Sequence, residues 1–153
     1  WVDYSGSLGE DSPLGFSIGF TEYLFPNAGS GAKHSEEAYV GLSLDNSLAP
    51  SLTFYYDFGL ADAWYAVLSG GTDVPLGEDE DGPALSIGAS VAMSDYGGKT
   101  GFNDVTGTAS ITLPAGQFSI SPMVGVTYAD DKINVDNTSF WGGVSIGISL
   151  SGE

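Results

Sequence analysis

The sequence predicts an all-β fold, an antiparallel up-and-down meander, and three observations carry that expectation. Large aliphatic and aromatic residues recur at every second position through most of the 153 residues, and period two is the signature of a strand with two unlike faces. The alternating runs are separated by segments rich in Gly, Pro, Asn and Asp, the residues that turns require. No run shows a helical period, and short strands joined by turns read as a meander closed into a barrel or split into a sandwich.

The elements follow in order. A stub at Trp1–Ser5 precedes the first clear run, in which Leu14, Phe16, Ile18 and Phe20 alternate with Gly15, Ser17 and Gly19. Ala38, Val40, Leu42 and Leu44 then alternate with Tyr39, Gly41 and Ser43. Leu52, Phe54, Tyr56 and Phe58 alternate with Thr53, Tyr55 and Asp57. Trp64, Ala66 and Leu68 alternate with Tyr65, Val67 and Ser69. Leu85, Ile87, Ala89, Val91 and Met93 alternate with Ser86, Gly88 and Ser90. Val105, Ala109, Ile111 and Leu113 oppose Thr106, Thr108, Ser110 and Thr112. Phe118, Ile120, Val124, Val126 and Tyr128 oppose Ser119, Ser121, Gly125 and Thr127, with a bulge expected at Pro122. The last run, Phe140–Leu150, sets Val144, Ile146, Ile148 and Leu150 against Ser145, Gly147 and Ser149. Eight clear strands and a stub form one domain, residues 1–153.

Charge says which solvent each face meets. The formal net charge is −17, with three lysines (Lys33, Lys99, Lys132) and no arginine. Nucleic acid is excluded as a partner, because binding it requires cations that displace phosphate counterions. There is no cysteine, hence no disulfide or thiolate site. No stretch of about 18 apolar residues marks a transmembrane helix and no signal peptide is visible. A chain beginning at Trp1 rather than Met is expected to be a processed form or a fragment. Charged residues make up 15%, where about a quarter is usual, and the sequence places them in turns: Glu36, Asp62, Glu78, Asp95, Asp104 and Asp130 among them. Soluble sheets put Lys or Glu on the wet face and on exposed edges. Here that face is Ser, Thr and Gly. Strands of about 9 to 12 residues, chargeless inside and charged at the connections, are those of a transmembrane β-barrel with apolar residues toward lipid and small polar residues inside. Leu14, Phe16, Ile18, Leu52, Phe54, Ile87, Val91, Ile111, Val124, Val144, Ile146 and Ile148 are thus expected to face lipid. Tyr39, Tyr55, Asp57, Thr106, Thr108, Ser110, Ser119 and Ser121 are expected to line the lumen, with Asp57 its most distinctive group.

Aromatic residues gather at one end of the strands: Tyr23, Phe25, Phe58, Trp64, Tyr65, Tyr96, Phe102, Tyr128, Phe140 and Trp141. An interfacial girdle has that character. The longer connections, 24–37, 94–104 and 129–139, share this end, while the short "DNSLAP" and "LPAGQ" lie opposite. Short periplasmic turns and longer outer loops are the bacterial outer-membrane arrangement.

"LGFSIGFTEYLFPN", "EEAYVGLSL", "SLTFYYDFG", "DVPL" and "SISPMVGVTYAD" together resemble the later strands of TorF-type porins, bacterial outer-membrane β-barrels. The resemblance covers most of the chain. It implies a barrel of about a dozen strands with transport or scaffold roles, of which this chain lacks some N-terminal strands. The ending "SLSGE" departs from such barrels in having no terminal aromatic.

Chemistry candidates are few. His34, the single histidine, stands in "AKHSEE" beside Ser35, Glu36 and Glu37. Adjacent residues do not build a nucleophile relay, which is assembled from distant segments, and His34 is expected on a solvated loop. No catalytic or metal residues are assigned and an enzyme is not expected. No cofactor is expected beyond weak binding of a divalent cation such as Ca²⁺ at "GEDEDG" (Gly77–Gly82) and "DDKINVD" (Asp130–Asp136), whose carboxylates suit it without matching a spaced EF-hand loop. The function expected is a passive pore or structural component of the outer membrane. Membrane lipid is the main partner, and further copies of the chain or a larger membrane complex are others. The same pattern admits an alternative, a secreted or cell-surface β-sandwich for adhesion or for assembly into a filament or lattice.

Overall fold

In a computed structural model the chain is described at residues 1–29, 34–79, 82–95, 98, 100–130 and 137–149. Nine strands follow one another: β1 (Val2–Ser7), β2 (Leu14–Leu24), β3 (His34–Leu44), β4 (Ser51–Asp57), β5 (Ala63–Pro75), β6 (Ala84–Ser94), β7 (Gly101–Ala115), β8 (Phe118–Ala129) and β9 (Thr138–Ile148). They form one sheet in sequence order, an antiparallel meander as the alternation and turns dictate. No α-helix occurs among the described residues. The order runs from β1 to β9, and no ladder joins those two among the described residues, so closure into a barrel is not part of the observed fold. The N-terminal stub is a full pairing strand, Val2–Ser7 against Gly15–Phe20.

The chain divides into two compact units, one holding Trp1–Ser69 with Val91–Asn103, the other Gly70–Ser90 with Asp104 onward. In the first, the registers stack side chains in rows. Phe16 opposes Leu42, Ile18 opposes Val40, and Leu42 opposes Leu52, so β2, β3 and β4 share an apolar face. The opposite face carries Gly19–Tyr39–Tyr55–Tyr65 in one row and Ser17–Gly41–Thr53–Val67 in the next. In the second unit, Ala109 opposes Val124 and Ile120 opposes Ile146 on the apolar face, while Thr106 opposes Thr127 and Ser121 opposes Ser145 on the other.

Pro122 makes no bulge. The β7–β8 ladder is interrupted beside it and resumes in the same register, Ser110–Met123 before the gap and Leu113–Ile120 after it. Pro lacks only the N–H that this ladder would use, and the other ladder keeps Pro122 opposite Val144. The strands also run past the limits that alternation suggests. They take in Glu36 and Asp104, which the sequence places in turns.

The usual location of a core is empty of large side chains. The buried apolar residues are Ala63, Ala92 and Ala129, all small, and no large side chain is fully buried among the described residues. Of the twelve apolar residues singled out by sequence, eleven are exposed, from Ile111 at 38% to Ile146 at 74%. Phe16 is half-buried beneath the Tyr4 ring, with centroids 5.8 Å apart.

Candidate functional site: the polar face of the sheet

Tyr39, Tyr55, Asp57, Thr106, Thr108, Ser110, Ser119 and Ser121 all stand on the face opposite the apolar one and are half-buried. This face is more covered than the apolar face although its residues are polar. The two buried polar residues, Ser35 at 3% and Ser94 at 6%, lie here too; Ser94 Oγ donates to Asn103 Oδ1 at 2.8 Å.

Within the first unit the face has a row of three tyrosines. Tyr39, Tyr55 and Tyr65 sit directly opposite one another on β3, β4 and β5, with ring centroids 5.4 and 6.0 Å apart and planes tilted by 40° and 50°. Tyr39 lies over Gly19 of β2, where an added Cβ would come within 2.5 Å of its Cε1, Cζ and hydroxyl oxygen, so a side chain at position 19 would displace the ring. The Tyr39 hydroxyl donates to Asp3. One row along, Glu37 opposes Asp57, and Glu37 Oε1 accepts from the Tyr23 hydroxyl at 3.2 Å.

Asp57 is on the polar face as expected, but its partners make it a turn lock. Its Oδ1 accepts from Gly59 N at 2.9 Å and Ala61 N at 3.2 Å. The Ser35 hydroxyl lies 2.8 Å from each carboxylate oxygen and accepts from Leu60 N at 2.8 Å. The short β4–β5 connection, which includes Asp62 at φ 46°, is thereby tied to β3. A carboxylate satisfied by backbone donors in this way is an Asx-type turn.

In the second unit the face is built from hydroxyls. Trp141 Nε1 donates to Thr127 Oγ1 at 3.3 Å, and Thr127 and Thr106 share a hydrogen bond of 2.8 Å. Thr106 reaches Asp104 Oδ1 at 3.5 Å. Thr112 and Ser121 bridge β7 and β8 at 3.0 Å, beside the interrupted rungs at Pro122. Trp141 covers Gly125 as Tyr39 covers Gly19.

The aromatic end of the strands is therefore not a single outward girdle. In the first unit Trp64 is on the apolar face and Tyr23 and Tyr65 are on the polar one; in the second, Tyr128 and Phe140 are on the apolar face and Trp141 is on the polar one. Tyr96 lies outside the described residues.

His34 is not in a loop. It opens β3 opposite Leu24, on the apolar side, with Nδ1 3.0 Å from Glu36 Oε1. Strand alternation sends Ser35 to the other face, where it meets Asp57, so "HSEE" holds no Ser–His–acid relay. Glu22, opposite Glu36, joins His34 and Glu36 in a group whose ligand atoms lie within 4.8 Å of one another. Two of the three are exposed and one half-buried, and the strand ends alone account for the cluster. Of the acidic turns, Gly77–Gly82 is described except at 80–81, where Gly82 N donates to Asp79 O at 3.0 Å; residues 131–136 lie outside the described residues.

The tyrosine row, the Ser35–Asp57 lock and the glycine–aromatic pairs were not legible from periodicity, because they depend on register. Turn centres carry that signal: Tyr39 and Tyr55 lie equally far either side of 47, within "DNSLAP".

No family model, no curated protein and no solved structure matches this chain.

Proposed function

We propose that the chain is part of an outer-membrane β-barrel, acting as a passive pore or structural membrane component, with its apolar face in lipid and its polar face toward water. The observation that carries this reading is the exposure of the apolar face, with no large side chain fully buried among the described residues. Eleven exposed side chains at about 1 kcal/mol each would leave on the order of 10 kcal/mol of unfavourable hydration in water. That rivals the whole stability of a typical domain. A sheet face this apolar requires a cover, and lipid supplies one along every strand. The single sheet favours this over the adhesive sandwich, which needs a second layer on the apolar side. Closure follows from the same reasoning, since an open strand edge is not viable in hydrocarbon. The resemblance to TorF-type porins agrees with it.

Two measurements test the proposal. Ion conductance across a planar bilayer should appear in discrete steps when the purified chain is added; protein that is inserted but silent leaves the structural role alone. Ile146→Arg should cost about 2–4 kcal/mol of folding stability in lipid vesicles. No change on that substitution would mean that Ile146 faces water.

A further inference from the structure

The polar face of the first unit carries fixed negative charge and aromatic surface together. Asp3, Glu37 and Asp57 stand on it around the tyrosine row. No lysine or arginine occurs among the described residues of the strands. Glu37 and Asp57 are directly opposite, an arrangement of like charges that disfavours pairing. The charge of Asp57 is answered by two backbone N–H groups and the Ser35 hydroxyl. Glu37 has the Tyr23 hydroxyl, a neutral donor.

The Tyr39 ring overlies Gly19, and Tyr55 and Tyr65 continue the aromatic row with planes tilted by 40° and 50°. The faces of aromatic rings attract cations, most strongly those too bulky to hold tight hydration shells.

We propose that the Tyr39–Tyr55–Tyr65 row, edged by Glu37 and Asp3, binds organic ammonium cations and gives the pore a preference for them. The proposal rests on the pore reading for the polar face being the wet one. The rings supply cation–π attraction and Glu37 supplies negative charge met by the neutral Tyr23 hydroxyl, while Asp57 serves the turn.

The probe is tetramethylammonium chloride, added to the full chain folded in detergent micelles and followed by saturation-transfer NMR against the tyrosine ring protons, with glucose as the uncharged control. Binding is expected for tetramethylammonium and not for glucose. Tyr55→Ala and Glu37→Gln should each weaken it about two- to fivefold, while Tyr55→Phe, which keeps a ring, should leave it intact. Glu37→Gln keeps the side-chain shape and an acceptor for Tyr23, so it remains informative if Tyr55→Ala does not fold. No binding by the native chain, equal binding of glucose, or binding unmoved by both variants would overturn the proposal. Bilayer conductance of the same samples separates the two readings: binding without conductance sinks the pore and keeps the site, and conductance without binding does the reverse.

Discussion

The polar faces of the two units solve one problem with different chemistry. Across β3, β4 and β5 the face is aromatic and anionic: a tyrosine row, with Glu37 and Asp57 in the adjacent row. Across β7, β8 and β9 it is nearly uncharged: Thr106, Thr127, Thr112 and Ser121 pair hydroxyl with hydroxyl, and Trp141 rests on Gly125. Both faces satisfy their polar groups across strands, and no buried side-chain N or O atom lacks a partner among the described residues. Satisfied hydrogen bonds explain how a sheet without a large apolar core keeps one register. Recognition by charge belongs to the first unit, while structural hydrogen bonds hold both, through Ser35 and Asp57 in the first and through hydroxyl pairs in the second.

Substitutions can break or sharpen that contrast, beginning with the largest effect. Asp57→Ala removes the acceptor for Ser35 and two backbone N–H groups, and should cost about 3 kcal/mol in urea unfolding from lipid vesicles. A loss under about 1 kcal/mol would mean that the β4–β5 turn holds itself. Gly125→Val drives a side chain into the Trp141 ring and should cost about 2 kcal/mol; the matching readout is a shift in tryptophan fluorescence as Trp141 is displaced. Thr106→Val removes the β7 partner of Thr127, leaving it only the Trp141 N–H of β9, and should cost about 1 kcal/mol, with no change in tetramethylammonium binding. Glu37→Gln lies at the other extreme, within about 0.5 kcal/mol of the native stability yet with weakened ammonium binding. Were Thr106→Val to alter binding, or Glu37→Gln to unfold the chain, the division of labour between the two faces would be wrong.

Much of this fold was legible in the sequence. Period two and turn residues gave the meander, its strands and the two faces, because alternation is a local property of a strand. Asp57 stands on the face opposite the apolar residues, but its turn role is not legible from alternation: its partners are Ser35, Gly59 and Ala61, and Ser35 comes from a different strand. His34 was misplaced for a related reason. "AKHSEE" is polar enough to read as loop, but pairing with Leu24 extends β3 to His34. The girdle reading groups Tyr65 and Trp141 by their place along the strand, when the face each occupies is set by parity, which alternation gives for Tyr65. Pro122 was expected to need a bulge because a missing N–H was counted against the strand as a whole, whereas only one of its two ladders is interrupted.

The most direct test of lipid contact at the apolar face is sedimentation of the purified chain with and without detergent, paired with circular dichroism. A face made of Ile18, Leu52, Val124 and Ile146 predicts a monodisperse, β-rich particle in detergent and aggregation in its absence. A monodisperse, folded monomer in detergent-free buffer would contradict this, and would place those side chains in contact with protein instead of lipid.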